Sequence, residues 1–307
     1  MKVPSELRES IAAGWAGDAG IEWLDRLPTR IARAERRWRI TVGEPYQPGG
    51  YTSFVAPAVT SAGDRAVYKA TIPHPEAIGE ADALAAYVGG GAVRVLATEP
   101  DEFETLLERC TPGDSLWSVD SDDERLDTAC ALMVRLWRPV VSDVIADLGS
   151  VAREWADITS CRMSDSELPW APEPLERGID LLRTLPAKPT DRVLLHGDFH
   201  PGNILRSERE SWLVIDPKPM IGDPAFEPVQ LLTQRDGRIA DPPGPEAVES
   251  RLTGIADRVG LDAERIALWA IARTAEWSMW SLDHGDNADA AIAHAWADTL
   301  DVVVPSA

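Results

Sequence analysis

Residues 194–219, LLHGDFHPGNILRSERESWLVIDPKP, constrain this chain more than any other stretch. Asp198 is followed five residues on by Asn203, and thirteen residues after that by Asp216. Between the last two lie the apolar pair Ile204-Leu205, a polar turn over 207–210 and a second apolar run over 212–215. Apolar runs around a short polar segment predict a β-hairpin. Its closure brings Asn203 and Asp216 to the open end, with Asp198 in the loop just before. Such oxygens suit phosphoryl transfer: one carboxylate takes the proton of an attacking hydroxyl, while a second carboxylate and an amide hold a divalent cation on the phosphates. A competing reading makes this an acidic hydrolase hairpin, with His196, Asp198 and His200 around a metal. It leaves Asn203, Asp216 and the upstream Lys69 without a role.

The remaining pattern divides in two. Residues 4–38 carry apolar positions at helical spacing (Ile11 and Trp15, then Ile21, Leu24, Leu27 and Ile31), interrupted by Gly17, Gly20 and Pro28. This predicts two or three short helices. Strands are expected over 39–42, 54–59, 65–72, 93–97 and 102–108, with Pro57 marking an edge or bulge. One helix over 76–88, ended by Gly89-Gly90-Gly91, interrupts them. From 116 onward helices dominate, over 123–136, 144–155, 173–185, 247–259, 262–282 and 287–303, with a surface loop over 236–245. Strands first and helices later define an α+β chain of two lobes, placed at 1–109 and 110–307.

HGDFHPGNIL followed by VIDPKP resembles the catalytic core of the antibiotic phosphotransferases, protein-kinase-like enzymes that phosphorylate aminoglycosides and other small molecules. The segment WLVIDPKPMIGDPAFEP and Leu106-Leu107-Glu108-Arg109 place the likeness nearest the branch of streptomycin 6-kinases and hydroxyurea phosphotransferases. The motifs cover roughly 65–232. The resemblance implies a bilobal kinase-like fold, a nucleotide-binding N-terminal lobe, a catalytic and substrate-binding C-terminal lobe, and ATP with magnesium as cofactors.

On this resemblance Asp198 accepts or orients the proton of the acceptor hydroxyl, and Asn203 and Asp216 hold magnesium. Lys69, an expensive charge in an apolar strand unless an anion meets it, binds the nucleotide phosphates. Glu80 positions it, on the helical face of Leu84 and Tyr87, with Glu76 as the rival. Gly49-Gly50 followed by Tyr51-Thr52-Ser53 stands where a protein kinase carries its glycine loop, so Gly50, Thr52 and Ser53 are phosphate candidates, though a plain turn reads the same. Backbone groups of Arg109, Cys110 and Thr111 are expected at the adenine edge. His196 reads as a loop support. Lys218 either neutralises the transferring phosphoryl group or pairs with Asp223. Asp223 and Glu227 steady the catalytic loop, and Glu227 is also a candidate for reaching the substrate. Asp216 sits in Asp-Pro-Lys where protein kinases have Asp-Phe-Gly, so no activation-loop switch is expected.

The acceptor is less legible. Fifty-one acids against thirty bases give a net charge of −21 over 307 residues. That charge disfavours nucleic acid and anionic membrane as partners and favours a cationic small molecule. On one helical stripe lie Trp269, Arg273, Trp277 and Trp280, with Glu276, Asp283 and Asp286 nearby. A core stripe and an acceptor pocket are both open readings; the second places a streptomycin-like aminocyclitol against Glu276, Trp277, Trp280 and Asp283. A sugar, an amino sugar or hydroxyurea is the alternative acceptor, and a nucleotide-binding relic the alternative function. Only four lysines occur, Lys2, Lys69, Lys188 and Lys218. Cys110, Cys130 and Cys161 are widely spaced and predict buried or half-buried free thiols. No signal-like apolar run follows MKVPSELRES, and the expectation is a soluble, cytoplasmic protein. Oligomeric state is not readable from the chain.

Overall fold

The computed structural model describes residues 3–14, 16–88, 90–187, 191–235 and 238–305. Lys2, Trp15, Gly89, Lys188 and the start of the predicted 236–245 loop lie outside the described residues. The chain forms two compact units, one of Met1–Gly113 with Arg206–Lys218, the other of Asp114–Leu205 with Pro219–Ala307. A single division near residue 109 does not anticipate that the hairpin segment returns to the first unit. Each unit has its own hydrophobic interior, and no helix among the described residues is long and apolar enough to cross a membrane.

The first unit is built on a five-stranded antiparallel sheet. Its spatial order is Ile40–Val42, Ser53–Thr60, Arg65–Thr71, Glu104–Glu108 and Val95–Glu99. Period-two alternation sends Ala66, Tyr68 and Ala70 to one face. There they pack with Phe54, Ala56 and Ala58 against Trp23, Leu27, Ile31 and Ala34. Those four belong to one helix, Gly17–Trp38, which continues through Gly20 and Pro28 instead of breaking. Burial of its apolar stripe outweighs the missing Pro28 N–H, a cost of ~3 kcal/mol in an unsupported helix. Pro57 is not in an edge strand: Ser53–Thr60 has a neighbour on each side. The neighbour on one side, Ile40–Val42, ends one pair short of Pro57, whose carbonyl accepts the Gly43 N–H at 2.8 Å. No regular ladder bond is therefore asked of the proline nitrogen.

The predicted helix over 76–88 is shorter. A 3₁₀ turn, Pro75–Ala77, is followed by Gly79 at φ 85° and then by the helix Glu80–Ala86. Glycine tolerates that left-handed corner, and the corner restarts the chain so that Glu80 opens the helix.

Helices Asp122–Leu136, Leu148–Asp165, Glu173–Thr184, Pro245–Val259, Ala263–Asp283 and Asn287–Val303 dominate the second unit. The second of these begins four residues later and ends ten residues later than the apolar pattern predicts; Asp147 caps it by accepting the Ser150 N–H at 2.9 Å. A small sheet that the sequence does not announce brackets the loop of interest. Val193–Leu195 pairs antiparallel with Met220–Gly222, which pairs parallel with Ala146–Asp147. Cys110 and Cys130 are buried, but Cys161 is exposed, a departure from the half-buried expectation.

Candidate active site

In the first unit the face opposite the helix pack carries Lys69, opposite Val55 and Thr105 in the neighbouring strands. It is 6% exposed. Its ammonium donates to both oxygens of Glu80, at 2.7 and 2.8 Å, and to Asp216 Oδ1 at 2.5 Å. Burial alone would lower this lysine's pKa; the carboxylates of Asp216 and Glu80 outweigh it and hold the group above its ordinary value. Glu80, and not Glu76, is thus the partner of Lys69.

Asp216 adopts φ 59°, a left-handed conformation that aspartate tolerates better than most residues. Its carboxylate stays half-exposed beside the buried lysine. Backbone bonds seat the preceding strand, since Val214 N donates to Gly91 O and Val93 N to Val214 O. At the hairpin tip Arg209 grips Glu108 with two bonds, 2.7 and 2.9 Å, and donates to Ala92 O. This fork is invisible to spacing, because its residues lie far apart in sequence. Lys218 meets Glu76 at 3.7 Å; Asp223, the partner that sequence offers, instead binds Arg265 and the Trp269 indole N–H at 2.6 and 2.7 Å.

The glycine-loop residues are placed less tellingly. A Cβ on Gly49 would meet Pro4 at 2.4 Å, so that glycine serves local packing. Gly50 has ordinary space, Ser53 Oγ bonds Thr71 Oγ1 at 2.9 Å, and Thr52 Oγ1 reaches Ser53 Oγ only at 3.5 Å. After strand Glu104–Glu108, Arg109 and Thr111 are partly exposed and Cys110 is buried. Burial, with Glu108 adding to it, pushes the Cys110 thiol up to about 11, so it stays protonated.

In the second unit the loop after Val193–Leu195 holds Asp198. Gln230 Nε2 donates to Asp198 Oδ1 at 2.9 Å, and Asn203 Nδ2 donates to the Asp198 carbonyl at 3.0 Å. The second bond commits the Asn203 amide nitrogen and leaves Oδ1 as the atom of that amide able to meet a hard cation. His196 is buried and its Nδ1 accepts the Asp198 N–H at 3.3 Å. His200 Nδ1 accepts the Gly202 N–H at 3.0 Å, and a Cβ on Gly202 would strike the His200 ring. Glu227 is 4% exposed; its two oxygens accept the backbone N–H groups of His196 and Gly197 at 2.6 and 2.8 Å. Burial raises its pKa to about 7 against the opposing pull of those two amides. Both oxygens are thus spent on the loop and not directed to a substrate.

A cleft of about 440 Å³, part of it open to solvent, adjoins this loop. Gly197, Phe199, Gln230, Thr233, Arg273 and Trp277 are among its lining residues. Glu227 lines it as well, but Glu276, Trp280 and Asp283 do not. Glu276 is paired with Arg273 at 2.8 Å, and Asp283 with Arg162 at 2.9 Å. Trp280 stacks on His284 near the helix end, and Trp269 is core. Gln230 was not among the residues the sequence singles out, and no spacing rule connects it to Asp198.

A strand lysine on a helix glutamate, joined by a hairpin aspartate, with an aspartate–asparagine loop in the other unit, defines a kinase-like small-molecule phosphotransferase. The chain belongs to the aminoglycoside/hydroxyurea antibiotic resistance kinase family, whose model matches residues 37–285. It is 31% identical over 287 residues to a streptomycin 6-kinase of Streptomyces glaucescens, covering 92% of this chain and 93% of that protein. It is 34% identical over 293 residues to a hydroxyurea phosphotransferase of Kitasatospora aureofaciens, covering 93% and 82%. Among solved structures, the fold is shared with aminoglycoside phosphotransferase APH(4)-Ia in complex with ADP and hygromycin B (TM-score 0.63, 16% identity, 90% of this chain and 99% of that one). It is shared equally with the choline kinase LicA of Streptococcus pneumoniae (TM-score 0.62, 16% identity, 91% and 99%).

Proposed function

We propose that this protein transfers the γ-phosphoryl group of ATP, with magnesium, to a hydroxyl of a small molecule in the cytoplasm, with a streptomycin-like aminocyclitol as the first acceptor to test. The observation that carries the nucleotide half is the buried Lys69 ammonium set between Glu80 and Asp216. Residues 1–109 are assigned to nucleotide binding and 110–307 to catalysis and acceptor binding, with hairpin 206–218 serving the nucleotide side.

The residues fit the implied groups. Lys69 is a fixed cation suited to phosphate oxygens, and Asp216 and Asn203 present the hard oxygen donors that magnesium prefers. Bound magnesium would neutralise phosphate charge during transfer. Glu80 holds Lys69 in place, so the ammonium does not have to be ordered when the nucleotide arrives. Gln230 orients the Asp198 carboxylate by donating to Oδ1, and that carboxylate is assigned to accept the acceptor's hydroxyl proton. Glu227 fixes the backbone on which Asp198 sits. Gly50, Thr52 and Ser53 for the phosphates, and the backbone of Arg109, Cys110 and Thr111 for adenine, remain assignments by family likeness, as does phosphate neutralisation by Lys218.

A compact neutral acceptor such as hydroxyurea is the second reading. It is favoured by the pairing of Glu276 and Asp283 with arginines, which removes the acids meant for a cationic ligand. The test is ADP release under Mg·ATP across streptomycin, other aminocyclitols, hydroxyurea, viomycin-type peptides and free sugars. Acceptor-stimulated turnover with one of them supports the proposal; ATP consumption unchanged by all of them sinks it.

A further inference from the structure

The cleft beside Asp198 contains a cation that the family likeness does not assign. Arg273 projects from the middle of helix Ala263–Asp283 and lines the cleft with Trp277, Gln230 and Gly197. Its guanidinium carbon lies 4.0 Å from the centre of the Trp155 ring and 5.7 Å from that of Phe226. Nη1 donates to Glu276 Oε2 at 2.8 Å. Stacking on aromatic faces and an ion pair hold a guanidinium in one orientation and reduce what must be ordered on binding.

The rest of the fork is unspent. Among the described residues, Nε and Nη2 of Arg273 have no protein acceptor, and neither is sealed from solvent. The cleft carries no opposing acid that is free to answer them. Its one acidic lining residue among those described is Glu227, whose oxygens are committed to the His196 and Gly197 amides. In a chain of net charge −21 this wall of the cleft therefore presents fixed guanidinium donors, with Glu276 as their counter-charge behind.

Given the acceptor site proposed above, on which this step rests, we infer that Arg273 is a specificity-determining residue. It donates to an oxygen of the acceptor, whether hydroxyl, carbonyl or carboxylate, and keeps ammonium and guanidinium groups off that wall. An aminocyclitol entering this cleft turns its cationic substituents away from Arg273; a carbonyl-bearing hydroxyl compound meets the fork directly. Guanidinium donors left without a partner by the wrong ligand are the source of discrimination.

The experiment compares wild type with Arg273→Gln, Arg273→Lys and Glu276→Gln, using the best acceptor from the panel. Arg273→Gln is expected to raise the acceptor KM at least tenfold and leave the KM for ATP within twofold. Arg273→Lys, which keeps the charge but loses the fork and the stack, falls between. Glu276→Gln withdraws the counter-charge and is expected not to raise the acceptor KM. An acceptor KM within twofold of wild type in Arg273→Gln, or a threefold rise in Glu276→Gln, overturns the inference. If Arg273→Gln does not fold, Arg273→Lys and Glu276→Gln decide it by the same criteria. If wild type phosphorylates none of the panel, the kinase–acceptor assignment has failed separately, and calorimetric titration with hydroxyurea and with streptomycin takes over. Weaker hydroxyurea binding, or stronger streptomycin binding, to Arg273→Gln supports the role of Arg273; no difference from wild type for either probe rejects it.

Discussion

Glu227→Gln separates the stability of the second unit from the order of its catalytic loop. The glutamate is buried, and each oxygen accepts one backbone N–H, from His196 and Gly197. An amide has one oxygen, so in either orientation one of the two N–H groups faces an NH₂. A buried donor left unsatisfied costs about 1–3 kcal/mol. Against this stands the charge. Burial lifts the carboxyl from its ordinary 4.5 to about 7, which amounts to ~3 kcal/mol against the ionised form at neutral pH and above. Between those two values the native protein binds more protons at Glu227 than the unfolded chain does. The stabilisation from this group is therefore complete below pH 4.5 and lost as pH rises through about 7.

Two consequences follow for the variant. At pH 8 the terms oppose, and Glu227→Gln should lie within about 2 kcal/mol of wild type in urea unfolding. At pH 4.5 and below the wild-type charge penalty is gone, so the variant should be the less stable by about 1–3 kcal/mol. Turnover behaves differently. The two amides immediately precede Asp198, so kcat should fall at least tenfold at pH 8, equivalent to about 1.4 kcal/mol. Wild-type kcat should itself decline as pH falls through about 7, when the carboxylate takes a proton. A folded Glu227→Gln with kcat within twofold of wild type, and with the same slope of stability against pH, would refute the argument.

Asp198→Ala should fold normally, bind ATP and lose most turnover, measured by nucleotide titration beside coupled ADP release; near wild-type turnover removes Asp198 from the mechanism. Asp216→Ala and Asn203→Ala should each abolish magnesium-dependent nucleotide binding or turnover. An unchanged Mg²⁺ titration would move the ligand role elsewhere. Lys69→Met strands the Glu80 carboxylate in a buried site, and denaturant unfolding should show a loss on the order of 3–5 kcal/mol; a loss under 1 kcal/mol would mean the pair is better solvated than its burial indicates.

What the sequence alone determined is mostly local. The hairpin pattern over 204–215, the alternation that puts Lys69 and Tyr68 on opposite faces, and the three closing helices are periodicities of neighbouring residues, and each forms. The choice of Glu80 over Glu76 depends on the helix face shared with Leu84, again a short-range relation. Tertiary burial decided the rest. It carried the helix Gly17–Trp38 through Pro28, because the stripe from Trp23 to Ala34 covers a sheet that local propensity does not see. It returned the hairpin tip to the first unit through Arg209 and Glu108, residues remote in sequence. It brought Gln230 to Asp198 and Glu227 to the loop amides by folding the 220–233 segment back on strand Val193–Leu195. The acids near Trp277 read as ligands for a cation while their neighbours were unknown. Arg273 meets Glu276 three residues on along the same helix, a local relation, whereas Arg162 reaches Asp283 from a different helix, and no count of charges along the chain shows that this arginine will provide the counter-charge.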